Sequence, residues 1–235
     1  MRIAAAADIH LRPERRESNV RAFSAVNDLA ELLVIAGDFT NHGMQDEMLE
    51  CLRVFEHIHV PIVAVMGNHD YESGHQDELA GMLRVAGVHL LDGQGIEIGG
   101  VGFGGTKGFC GGFAPHELMA FGEGAIKKFV EISEREAIKL DYALAQLHTP
   151  VKVAITHYSP IKETVIGEPE PIFPFLGSSR LERALDRHTP TLALHGHAHK
   201  GSFCAHTQGG TRVCNVAVHV LQRRGEPHPF VIFDL

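Results

Sequence analysis

ELLVIAGDFT, residues 31–40, places five apolar residues in a row and then turns through Gly37 into Asp38. An unbroken apolar run of this length suits a strand covered on both faces. The glycine allows a sharp turn, and the carboxylate sits just beyond the strand's carboxyl end. Upstream, ESNVRAFSAVNDLAEL (17–32) has apolar residues at three- and four-residue spacing, and downstream QDEMLECLRVFEHI (45–58) does the same. Helix, buried strand and helix in succession predict an α/β fold with parallel pairing.

The same pattern recurs along the chain. RIAAAA (2–7) leads into Asp8-Ile9-His10, PIVAVMG (61–67) into Asn68-His69-Asp70, VKVAIT (151–156) into His157, and TLALHG (191–196) into His197-Ala198-His199. The clearest helix is EGAIKKFVEISEREAIKLDYALAQL (123–147), and SSRLERALDRH (178–188) opens on a serine cap. Three other stretches read differently. GVHLLDGQGIEIGGVGFGG (87–105) looks like short strands joined by Gly turns, FCAHTQGGTRVCNVAVHV (203–220) like a hairpin about Gly209-Gly210, and PFVIFDL (229–235) like a closing strand. Together they predict a second, more antiparallel set of strands beside the first. With no repeat, low-complexity tract or linker, residues 1–235 read as a single domain.

Composition narrows the function. The 235 residues are 44% hydrophobic, ample for a packed core, and carry a formal charge of −8. No basic block exceeds a pair such as Arg15-Arg16, so binding of long nucleic acid is disfavoured. Cys51, Cys110, Cys204 and Cys214 show no CxxC spacing and read as buried or free thiols of a reducing compartment. MRIAAAAD has too short an apolar core for a signal peptide, and no run is long enough to span a bilayer. A cytoplasmic protein with no membrane partner is expected.

Five predicted strands each end in a potential metal ligand. In open α/β sheets ligands bind outside the carboxyl ends of strands, so these groups should converge. In extended chain, residues i and i+2 point the same way, so Asp8 with His10, and His197 with His199, can each aim at one locus. Asp38 and Asn68 are also good turn formers, but five oxygen- or nitrogen-bearing ends together point to a metal site.

Asp8-x-His10, Gly37-Asp38, Gly67-Asn68-His69-Asp70, His157 and Gly196-His197-x-His199 resemble the ordered blocks of the calcineurin-like metallophosphoesterases. The resemblance implies a four-layer α/β/β/α sandwich of two mixed sheets flanked by helices, with a dinuclear metal site at one rim. It also implies a division of ligands: Asp8, His10, Asp38 and His199 for one ion, and Asp38, Asn68, His157 and His197 for the other, with Asp38 bridging. No ligand is implied at His195, which is expected to be structural or to support the ligands. The reaction implied is hydrolysis of a phosphoester by water activated between two divalent cations, with His69 as proton donor or charge stabiliser and Asp70 or Asn41 orienting it. Mixed carboxylate, amide and imidazole ligation suits Mn²⁺, Fe or Zn²⁺, and Mn²⁺ is the expectation.

Relatives with protein substrates carry Asp-Arg-Gly where this chain has Asn41-His42-Gly43, and the sugar-lipid pyrophosphatases replace the histidine kept here as His69. A small phosphoester, nucleotide-like, is therefore the expected partner, with a non-catalytic scaffold or a nuclease subunit as alternatives. Gly100-x-Gly102-x-x-Gly105 formally fits a dinucleotide fingerprint, but no helix follows it. That loop, with Lys107, Phe109 and Phe113, and the proline-rich 162–177 stretch can instead flank the site.

Overall fold

A computed structural model describes residues 1–235. The strands are β1 (Arg2–Ala6), β2 (Leu32–Ala36), β3 (Ile62–Val65), β4 (His89–Leu90), β5 (Gln94–Ile98), β6 (Val101–Gly105), β7 (Val151–Ile155), β8 (Leu192–His195), β9 (Cys204–His206), β10 (Arg212–Asn215) and β11 (Val231–Asp234). The helices are α1 (Arg16–Ser24), α2 (Val26–Leu29), α3 (Gln45–Phe55), α4 (Gln76–Val85), α5 (Gly124–Ala145), α6 (Phe173–Leu176), α7 (Ser179–His188) and α8 (Val218–Arg224).

One sheet runs β11-β1-β2-β3-β4 and the other β5-β6-β7-β8-β10-β9. Both are mixed: β11 is antiparallel to β1, β5 to β6 and β9 to β10, while the central strands pair in parallel. Alternation along each strand builds the layers. Ile3, Ala5, Leu32, Val34, Val63 and Val65 meet Phe103, Val153, Ile155 and Leu194 between the sheets. Their neighbours Ala4, Ala6, Leu33, Ile35 and Ala64 face outward, against Phe23, Met48, Val54, Leu79 and Leu83 of the first helical layer. Ala154, Ala193 and Val213 face Leu140, Leu144, Leu181 and Leu185 of the second. Strands buried on both faces explain why their sequences do not alternate. The four-layer α/β/β/α sandwich matches the expectation.

The five ligand-bearing strands are not one sheet with an antiparallel set beside it. β1, β2 and β3 belong to the first sheet and β7 and β8 to the second, while β11 closes the first sheet rather than joining the second. The helix expected over 17–32 breaks at Ala25 into α1 and α2. The 203–220 hairpin stops at Asn215, whose Oδ1 accepts the Ala217 N–H at 3.1 Å, and the chain turns into α8. The structure also adds α4, whose buried Leu79, Ala80 and Leu83 are interrupted by Gly81. Ser178 caps α7 as expected, its Oγ accepting from Arg180 N at 3.2 Å.

The reading of four thiols is corrected: Cys204 and Cys214 form a disulfide, while Cys51 and Cys110 are free and buried. Cys204 lies directly opposite Cys214 in the β9–β10 ladder, a pairing that only the register reveals. No helix is long and apolar enough to cross a membrane.

Candidate metal centre

The carboxyl ends of β1, β2, β3, β7 and β8 open onto one rim, and short backbone bonds stitch them together. Asp8 N–H donates to the Gly37 carbonyl at 3.0 Å, His10 N–H to the Asp38 carbonyl at 3.2 Å, and Gly196 N–H to the His157 carbonyl at 3.1 Å. His157 then crosses between the sheets, its Nδ1–H donating to the Ala36 carbonyl at 2.8 Å.

Beyond the strands the chain is not extended, as the i and i+2 pairing of Asp8 with His10 and of His197 with His199 would require. Asp8, His10, Asp38 and His197 have φ of 55°, 37°, 57° and 68°, in the left-handed region that non-glycine residues rarely adopt. Such strain persists where surrounding structure over-determines it, and here it collects at the rim. Two glycines make the crowding possible. A Cβ at Gly67 would lie 2.0 Å from Asp38 Oδ1, and one at Gly196 would lie 2.4 Å from Asp8 Oδ2.

One ligand atom each from Asp8, His10, Asp38 and His199 lies within 4.8 Å of the others. His199 Nε2 is 2.8 Å from Asp8 Oδ1. His10 donates Nδ1–H to the Thr40 carbonyl at 2.7 Å, which leaves the lone pair of Nε2 turned inward. On the other side of Asp38, His157 Nε2 lies 2.9 Å from Asn68 Oδ1 and 3.4 Å from Asp38 Oδ2. His197 packs 5.1 Å from His157, ring centre to ring centre. Its Nε2–H donates to the Phe175 carbonyl at 3.1 Å, which leaves Nδ1 to present a lone pair. Asp8, His10, Asp38 and His199 thus meet in one cluster, while Asn68, His157 and His197 gather on the other side of Asp38.

Asp38 is the centre of the arrangement. Its side chain is buried, and Oδ1 accepts the His69 N–H at 2.9 Å. Oδ2 has no hydrogen-bond partner, and it stands 3.7 Å from His10 Nε2 and 3.4 Å from His157 Nε2. A buried carboxylate oxygen without a donor is costly unless a cation meets it. The donor set, all carboxylate, amide and imidazole, fits divalent transition ions.

The buried carboxylates draw positive charge to the site. Burial works against protonating His157, yet Asp38 alongside pushes its pKa up to about 9. Burial likewise works against ionising Asp38, and His157 holds its carboxyl below the usual range. Burial lowers His197 to about 4, leaving it neutral and able to ligate.

His69 sits at the mouth, its side chain 38% exposed and its ring 4.9 Å from that of His10. Its Nδ1–H donates to the Asn41 carbonyl at 2.6 Å, so Asn41 orients it, through the backbone. Asp70 does something else. Buried, it accepts the N–H groups of Gly67, Asp38, Phe39 and Thr40 at 2.9–3.1 Å and the Thr40 hydroxyl at 2.8 Å. It therefore ties the loop after β2 to the loop after β3.

His195 faces away from the rim. It is buried, with Nδ1 2.8 Å from the Gly196 carbonyl and Nε2 2.8 Å from Thr164 Oγ1, and burial lowers its pKa to about 4. The flanking loops have separate jobs. The Lys107 carbonyl accepts the N–H groups of His157 and Tyr158, and Phe113 is buried against Leu176. The 162–177 stretch reaches the site through Phe175. Sequence reasoning missed Tyr158, whose ring lies 4.4 Å from that of His197, and His219, which stacks on His199.

The calcineurin-like phosphoesterase family model matches residues 1–201. The chain belongs to the calcineurin-like phosphoesterase family. Members of this family are metal-dependent phosphoester hydrolases. Among solved structures, it resembles the Thermus thermophilus protein TT1561 at 15% identity, covering 99% of this chain and 98% of that one with a TM-score of 0.57. The purple acid phosphatase PPD1 of yellow lupin (Lupinus luteus) matches at 12% identity over 92% of this chain and 43% of its own, with a TM-score of 0.56. In sequence, 120 residues are 34% identical to the DNA double-strand break repair protein Mre11 of Archaeoglobus fulgidus. That match covers 41% of this chain and 27% of the archaeal protein.

Proposed function

We propose that residues 1–235 form one catalytic unit that hydrolyses a small, nucleotide-like phosphoester at a dinuclear metal centre. Asp8, His10, Asp38 and His199 hold one cation, Asp38, Asn68, His157 and His197 the other, and Mn²⁺ is the favoured ion. The observation that carries this reading is the unpartnered, buried Asp38 Oδ2, placed between one imidazole of each set. When bound, the cations supply Lewis acidity and a nucleophilic water at neutral pH.

The chain's own groups do the rest. The carbonyls of Thr40 and Ala36 fix the His10 and His157 tautomers, and the Phe175 carbonyl fixes that of His197. His69, held at Nδ1 by Asn41, carries its working proton at Nε2 and delivers it to the departing oxygen. Asp70 keeps the loops bearing Asp38 and Asn68 in register.

Elemental analysis of purified protein should find close to two transition-metal ions per chain, and the Mn²⁺-loaded protein should hydrolyse bis(p-nitrophenyl) phosphate. One ion or fewer per chain after Mn²⁺ loading would overturn the dinuclear assignment. No turnover across a panel of monoesters, diesters and short oligonucleotides would overturn the substrate class. The likeness to Mre11 favours a second reading, a nuclease acting on short nucleic-acid ends. A charge of −8 weighs against a long duplex, and the oligonucleotide arm of the panel decides between the two.

A further inference from the structure

After β10 the chain enters α8, which buries Val220 and Leu221 and leaves His219 exposed toward the rim. The His219 ring lies flat on that of His199, with centroids 4.5 Å apart and planes 12° from parallel. One turn later, Arg223 donates to the carbonyls of His199 and of Gly201, the first at 2.6 Å. Arg223 accounts for holding the His199 backbone, which leaves the role of His219 open.

Four imidazoles form a row along this side of the site. His69 meets His10 at 4.9 Å, His10 meets His199 at 5.9 Å, and His199 meets His219 at 4.5 Å. His10 is engaged with the Thr40 carbonyl, His199 with Asp8, and His69 with the Asn41 carbonyl. His219 is held by stacking alone, and neither of its nitrogens has a hydrogen-bond partner in the protein. It is thus an exposed group able to donate and to accept, at the end of the row opposite His69.

We propose that His219 is a substrate-binding residue that hydrogen-bonds a hydroxyl-bearing group retained on phosphorus, across from the leaving group at His69, and so favours nucleoside phosphodiesters. This rests on the function proposed above. The donor pattern at this end supports a diester over a dianionic monoester. Arg223, one turn beyond His219, spends its guanidinium on the His199 and Gly201 carbonyls. A second phosphate charge would call for a bidentate guanidinium, whereas a sugar hydroxyl is matched by one group that donates and accepts.

The test compares His219→Phe, which keeps the stacked ring without nitrogens, with His219→Gln, which keeps a donor and an acceptor without the stack. With Mn²⁺-loaded protein, His219→Phe should raise KM for thymidine 5′-(p-nitrophenyl phosphate) roughly five- to tenfold, the size of one neutral hydrogen bond. KM for bis(p-nitrophenyl) phosphate, whose retained group lacks a hydroxyl, should stay within about twofold. Mn²⁺ stoichiometry and the melting temperature of the metal-free protein should match wild type in His219→Phe, and His219→Gln should recover most of the nucleoside KM. Wild-type kinetics in His219→Phe with Mn²⁺ loss in His219→Gln would overturn the proposal, leaving a ring that only steadies His199. Should the wild type hydrolyse neither ester, the function proposed above fails by itself. Equilibrium binding of thymidine 5′-phosphate then decides: roughly fivefold weaker binding to His219→Phe supports the role, and equal or undetectable binding removes it.

Discussion

The two sheets hold their shares of the metal centre in different ways. On the first sheet, one carboxylate does most of the fastening: Asp70 gathers donors from Gly67, Asp38, Phe39 and Thr40 and so locks two ligand loops to each other. On the second sheet, the 197–199 turn is held by several groups rather than by one. Asp8 takes the His197 N–H and His199 Nε2, the Phe175 carbonyl takes His197 Nε2, Asn215 Nδ2 donates to the Ala198 carbonyl, and Arg223 donates to that of His199. A hub couples its dependents, so its loss should be felt at both ions, whereas separate keepers should fail one at a time.

The largest effect is therefore expected from Asp70→Ala, although Asp70 need touch neither ion. It strands buried N–H groups, and unmet buried donors cost about 1–3 kcal/mol each before relaxation. A loss on the order of 3 kcal/mol corresponds to a melting point lower by roughly 10 °C for a chain of this size. Calorimetry and elemental analysis should show that drop together with loss of both ions. Retention of one full ion would break the hub picture. Next come single substitutions on the second sheet. His199→Ala and His197→Ala should each lose one ion and nearly all turnover, with the other ion kept. His195→Ala should keep both ions and lose stability alone, because its nitrogens face Thr164 and Gly196. Loss of an ion in His195→Ala would shift the ligand assignment by one position.

A smaller change is expected at His69, whose backbone is tied to Asp38 while its Nε2 stays free for substrate. His69→Ala should keep both ions and the fold but lose roughly 10²–10⁴-fold turnover on an unactivated phosphodiester. The loss should shrink on a nitrophenyl ester, whose leaving group needs little protonation. An equal loss on both esters would move His69 from proton donor to charge stabiliser. Loss of a metal ion would instead mean that the first-sheet half depends on this side chain as well as on Asp70.

What was legible in the sequence follows the same division. Asp8, Asp38, Asn68, His157 and the 197–199 pair could be found because each follows an apolar run, and buried strands leave that local mark. Their keepers could not, because the carbonyls of Thr40, Ala36 and Phe175 belong to the backbone and have no residue signature. His219 was invisible for a different reason: a lone histidine at the start of a short helix means nothing until register places it on His199. The sharing of strands between sheets was equally hidden, since a run covered on both faces reads the same in either sheet. Of the two residues that the sequence offers to orient His69, Asn41 does so through its carbonyl, whereas the backbone turns the Asp70 carboxylate back onto the 37–40 loop.

The disulfide supplies the smallest expected effect at the site and a finer test of the separate-keeper picture. Cys204 and Cys214 close a loop of sequence separation 10 between β9 and β10, and Asn215, next in the chain, holds the Ala198 carbonyl between His197 and His199. Constraint of the unfolded chain by a short loop contributes about 2–3 kcal/mol. The double variant Cys204→Ser with Cys214→Ser should therefore melt several degrees lower, roughly 4–12 °C by the usual scaling for this chain length. Its metal content and turnover should be nearly unchanged, because β8 still pairs with β10 through Asn215 and Arg223 still holds His199. Metal analysis before and after treating the wild type with a dithiol reductant checks the same point without a substitution. If reduction releases an ion, the 197–199 turn depends on the hairpin as a unit, and the second sheet then has a hub of its own.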